Sequence, residues 1–168
     1  MNTAHLHLLL NHIPVLGAMG LLALFIIAFI RRDSSLGKLT LVFSVLLAAL
    51  SVAVFFTGEP AEEIVEDLAG VASSAIEPHE DAALIATVGF GILGVAELAA
   101  LAAYRRRELP RRMIGTAIIG TLAVCGLMGW TANLGGRIRH TEIGSTAGAA
   151  PSEGWSDDDE HPRGGDER

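Results

Sequence analysis

Apolar residues fall into four long runs, and most charges lie between or beyond them. The runs cover residues 8–30, 39–56, 82–104 and 113–134. The first is interrupted only by Asn11, His12 and Pro14, and the third carries one charge, Glu97. Each is close to the ~20 residues that cross ~30 Å of hydrocarbon at ~1.5 Å per residue. Lipid offers the backbone no hydrogen-bond partners, so helices are the expected form. The runs are apolar almost all round, and their hydrophobic periodicity distinguishes no buried face. The pattern predicts an all-α integral membrane four-helix bundle over residues 1–143.

The polar segments complete this picture. After Thr57-Gly58-Glu59, Pro60 suits the first turn of a new helix. Glu62, Glu63, Glu66 and Asp67 are interleaved there with Ile64, Val65, Leu68 and Val71. This predicts a short amphipathic helix lying along a membrane surface. Residues 144–168 are rich in Gly, Ser and Asp, with Asp157, Asp158, Asp159 and Glu160 in succession, and are expected to form a disordered acidic tail. His161 lies in it and carries no assignment.

Charge orients the bundle. Arg31, Arg32 and Lys38 separate the first two runs, and Arg105, Arg106, Arg107, Arg111 and Arg112 the last two. Short basic loops stay on the cytoplasmic side. Both termini and the loop at 57–81 are then expected on the opposite side. No basic residue precedes the first run, so it is read as a retained helix rather than a signal peptide. Tyr104 and Trp130 sit near span ends, where interfacial aromatics are common.

Composition adds limits. Apolar residues make up 51% of the 168, which is ordinary for soluble domains, so distribution rather than amount indicates the membrane. The net charge of -7 owes much to the tail, and the basic residues form no nucleic-acid footprint. The single cysteine, Cys125, makes no intrachain disulfide, and there is no C-x-x-C-H for covalent haem. Gly89-x-Gly91-x-x-Gly94 has the letters of a dinucleotide fingerprint but lies in an apolar span after no strand. Like Gly115, Gly120, Gly126 and Gly129, these glycines suit close helix packing. No Gly-x-Ser-x-Gly or His-Glu-x-x-His is present, so a hydrolase is not indicated.

The candidate chemistry lies at one end. His5, His7 and His12 open the first helix, His79 precedes the third beside Glu80, and His140 follows the fourth. Four spans bring all five to the same surface. His12 lies inside the apolar run, where an imidazole needs a partner or a function. His12 and His79 are the expected pair, about 7 Å below and at the top of neighbouring helices, with His7 or His140 nearby. Such groups could ligate haem b, or, as His7, His12, His79 and Glu80, a zinc or copper ion. The alternative is packing and hydrogen bonding alone, in an accessory or scaffold subunit of a larger membrane complex. Glu97 is either a snorkelling or salt-bridged carboxylate or a proton or ion relay.

The segment from His7 to Leu16, HLLLNHIPVL, resembles the start of a family of small bacterial membrane proteins called domain of unknown function 2231. That family opens with His-Pro, three residues, then His-Phe-Pro. His7, His12 and Pro14 match it, whereas Leu8 and Ile13 depart from it. Thr57-Gly58 and His79 are similar to later features of the family. The resemblance covers residues 4–140. It implies a four-helix bundle in a bacterial inner membrane, and no activity.

Overall fold

The computed structural model describes residues 2–65 and 73–139. Among these the chain folds into helices α1 (Thr3–Leu10), α2 (His12–Arg31), α3 (Ser34–Phe55), α4 (Glu59–Val65), α5 (Ile76–Ala103) and α6 (Arg111–Arg139), with a 3-10 turn at Ser73–Ala75. Four helical stretches, Thr3–Arg31, Ser34–Ile64, Ile76–Ala103 and Arg111–Ile138, are long and apolar enough to cross a membrane. The protein is an all-α membrane bundle, as the four runs predict.

Local chemistry places the breaks. Pro14 has no N–H to give the Leu10 carbonyl, and the helix is interrupted at Asn11 between α1 and α2. α1 packs on α4, where the Thr3 hydroxyl donates to the Pro60 carbonyl at 2.9 Å. The α2–α3 turn uses Arg32 in the left-handed region (φ 55), with Asp33 N–H donating to the Ala28 carbonyl. Asp33 then caps α3 by accepting from Leu36 N–H at 3.0 Å. Two bonds tie this turn to the α5–α6 loop: Leu109 N–H to Ser34 Oγ at 2.7 Å, and Lys38 Nζ to the Arg107 carbonyl at 2.6 Å.

α3 packs on α2 and α5, and α6 packs on α5 and α2. The four long helices thus form a ring in chain order, each beside its sequence neighbours. α2 and α5 face each other across a diagonal. This corrects the expectation that the first and third spans are neighbours.

The interior is built from small residues at three- and four-residue steps. These rows are Pro14, Ala18, Leu21, Phe25 and Ala28 on α2, and Gly37, Leu41, Ser44, Ala48 and Ser51 on α3. On α5 the row is Ala82, Ala86, Phe90, Gly94, Glu97 and Ala100. Such steps are those of a left-handed bundle. Most of the large aliphatic side chains point the other way, Ile119 on α6 being 71% exposed, while a few such as Leu21, Leu41 and Ile114 fill the interior. An apolar exterior around a small-residue interior suits lipid as the solvent, because there close helix packing replaces the hydrophobic drive of water.

Helix ends differ from the apolar limits. α5 begins at Ile76, six residues before the apolar run, so His79 lies in its first turn rather than ahead of it. Apolar length marks the hydrocarbon segment, whereas the helix continues until its backbone finds other partners. The amphipathic surface helix is present as α4, with Ala61 buried and Glu63 exposed. Glu66, Asp67, Leu68, Val71, His140, His161 and the acidic tail lie outside the described residues.

Candidate functional site

One end of the bundle carries the described histidines and the other carries the basic loops. At the histidine end, α1 sets His7 against the close of α3. His7 Nδ1 is 2.8 Å from Thr57 Oγ1. The Thr57 hydroxyl has one proton and donates it to the Val54 carbonyl at 2.6 Å. Thr57 Oγ1 is therefore the acceptor, and His7 carries its proton on Nδ1. Nε2 remains as the free lone pair of a neutral ring.

α5 sets His79 in the same way against α6. His79 Nδ1 donates to the Thr131 carbonyl at 3.0 Å, since a carbonyl only accepts, and among the described residues Nε2 has no partner. Gly135 makes room for this ring: a Cβ there would stand 3.0 Å from His79 Cε1. Gly58 is beside His7 in looser fashion, with 3.7 Å from a built Cβ to Cε1. Both imidazoles are half-buried, and they are close enough to influence each other's charge.

His12 stands apart from this pair. It is exposed, and its Nδ1 donates to the Leu8 carbonyl within its own helical stretch at 2.9 Å. Five residues from His7 correspond to a rotation of about 140° around the helix, so the two rings leave on different sides. His12 is also on α2, diagonal to α5. The expected approach of His12 to His79 finds no support, because His12 is exposed on a helix diagonal to α5, whereas His7 and His79 influence each other's charge. His5, seven residues before His12, is exposed as well. Glu80 is half-buried and lies beside the Glu62 carboxyl of α4. Among the described residues no three His, Cys, Asp or Glu side chains gather closely enough to hold a metal ion, so His12 and Glu80 do not join His7 and His79.

Glu97 is a separate feature near the basic end. It is 3% exposed and lies in the inner row of α5, and neither carboxylate oxygen closes a hydrogen bond. It is thus neither snorkelling nor salt-bridged. Cys125 is half-buried and free, packed against the bundle core.

The sequence reading passed over the groups that orient the imidazoles. Thr57 and Gly58 stand out in the sequence through their place ahead of Pro60 and through a family resemblance, and Gly135 does not stand out. A signal for Thr57 and Gly58 was present in their position: a polar residue and a glycine closing an apolar run at the membrane end where histidines gather. Compared with protein-family models, curated proteins and solved structures, the chain finds no match.

Proposed function

We propose that this membrane bundle holds a transition-metal ion, zinc or copper, at its histidine end through Nε2 of His7 and His79. One observation carries the reading. Two imidazoles from different helices are each fixed through Nδ1–H by a protein oxygen, which leaves both Nε2 lone pairs available. Metal-bound histidines ordinarily give their other ring N–H to such an acceptor, which fixes the tautomer and raises ligand basicity. Imidazole suits zinc and copper.

A haem b between His12 and His79 is less well supported, because His12 is exposed and α2 is diagonal to α5. The bundle interior is also filled, with Phe25 and Phe90 fully buried among alanines.

Metal analysis of the protein purified from metal-supplied membranes should find a bound ion, lost in His7→Ala and in His79→Ala and kept in His12→Ala. A metal-free wild type, or loss that follows His12 alone, would sink the assignment. The basic loops favour the non-cytoplasmic side of the membrane for this site by the positive-inside rule. Reporter fusions after Arg107 and at the C-terminus should then mark opposite sides, and identical sides would reverse that placement.

A role as an accessory subunit of a larger membrane complex is a second reading, compatible with the first. Gly20, Gly126 and Gly129 face outward with nothing within 4 Å of a built Cβ. Small residues on an outer face allow a partner helix to approach closely. The resemblance to domain of unknown function 2231 is consistent with either role.

A further inference from the structure

We propose that Glu97, assisted by the hydroxyls of Ser44 and Thr121, is a proton-binding site inside the membrane, separate from the histidine end. Glu97 lies 18 residues beyond His79 on α5 and six before Ala103, about 27 Å and about 9 Å along the axis. It is 3% exposed, and both its oxygens lack a hydrogen-bond partner. An ionisable group held in a membrane interior is costly and typically belongs to an ion or proton path.

The hydroxyls are the second observation. Buried Thr40 and Ser51 give their protons back to their own helix, at the Leu36 and Ala48 carbonyls. Ser44 and Thr121 are equally buried and do not. Ser44, on α3, faces the Glu97 carboxyl without closing a well-formed bond. Its level agrees with the packing of Gly94 on Ala48, one turn along both helices. Thr121 lies in the inner row of α6, about one turn nearer the histidine end, by the packing of Gly120 on Leu93. Two donors are thus left without partners, one beside and one about a turn away from a group that gains most from donors when ionised.

Among the described residues no fixed cation neutralises it. On α3 the only charged group is Lys38, bonded to the Arg107 carbonyl. On α6, Arg111 sits over the Phe29 ring, Arg112 is exposed, Cys125 lies further toward the histidine end, and Arg137 and Arg139 are at that end. On α5 itself Tyr104 is two turns away, and across the diagonal α2 has titratable groups only at its ends, His12 and Arg31. A metal cation fits less well than a proton. A hard ion such as calcium takes roughly six to eight oxygens, whereas one carboxylate and two hydroxyls supply four. Uptake forms one O–H bond on the carboxyl. Release breaks it, leaves the electron pair on the carboxylate and passes the proton to water at the nearer, basic end.

Infrared difference spectra of the full chain in lipid bilayers test this. A protonated-carboxyl band should be present at low pH, lose intensity as the pH is raised, and be missing from Glu97→Gln. If that variant does not fold, Glu97→Asp should instead shift the band. In Ser44→Ala the band should persist to higher pH, because the ionised form has lost a donor. Replacing choline by sodium at fixed pH should change nothing. A carboxyl band that ignores pH, no such band at any pH, or removal of the band by sodium would each overturn the proposal.

Discussion

Gly94→Leu will break the bundle. A Cβ at Gly94 would stand 2.8 Å from Ala48 Cβ, with the Val45 Cα at 4.0 Å behind it. Neither neighbour can rotate away, so α3 and α5 must separate along their whole contact. Overpacking of this kind costs about 1–3 kcal/mol, and the upper end applies where backbone has to move. Denaturant titration of purified protein in detergent measures it. Gly126→Leu is the matched control, because a built Cβ there meets nothing within 4 Å. It should change stability by no more than about 0.5 kcal/mol. If α6 docks a partner at that glycine, the same substitution will also reduce co-purification of a larger complex. Equal stability of the two leucine variants would contradict the packing of α3 on α5.

Thr57→Val will weaken metal binding without removing a ligand. Valine keeps the shape and loses the oxygen that accepts from His7 Nδ1–H. The His7 ring is then free to turn or to change tautomer. Loss of such an orienting partner typically costs 10- to 100-fold in metal affinity, or about 1.4–2.8 kcal/mol. Thr57→Ser restores the acceptor and should recover most of the affinity. Acid should weaken binding in every variant that binds, since protonation of Nε2 consumes the lone pair. A metal titration by calorimetry decides the matter; equal affinity in Thr57→Val and wild type would show that His7 is not oriented through Thr57.

The four spans and the all-helical class were legible because bilayer thickness demands long uninterrupted apolar runs. The arrangement of those spans was harder to see. Apolarity all round conceals which face is buried, and a hydrophobic pattern cannot show that the inner rows are small residues. The size pattern does show it: Gly37, Ser44, Ala48 and Ser51 on α3, and Ala82, Ala86, Gly94 and Ala100 on α5, recur at helical steps. Glu97 falls three residues after Gly94 in that row, which marks it as interior rather than snorkelling.

The histidines were legible as a set at one end, since parity of the spans requires it. Their pairing was not. Depth in the apolar run favoured His12, but angle around the helix decides contact, and 140° separates His12 from His7. α1 packs on α4 and sets His7 against Thr57. Thr57 and Thr131 contribute through one hydroxyl and one carbonyl, groups whose roles depend on packing that no spacing rule reveals.

X-ray absorption at the edge of the bound metal, in the full-length protein in lipid, tests the central claim most directly. The account predicts imidazole nitrogen scattering at about 2.0–2.1 Å for zinc, reduced by one nitrogen in His7→Ala and in His79→Ala and unchanged in His12→Ala. A ligand shell of oxygen alone, or one that none of these substitutions alters, would contradict it.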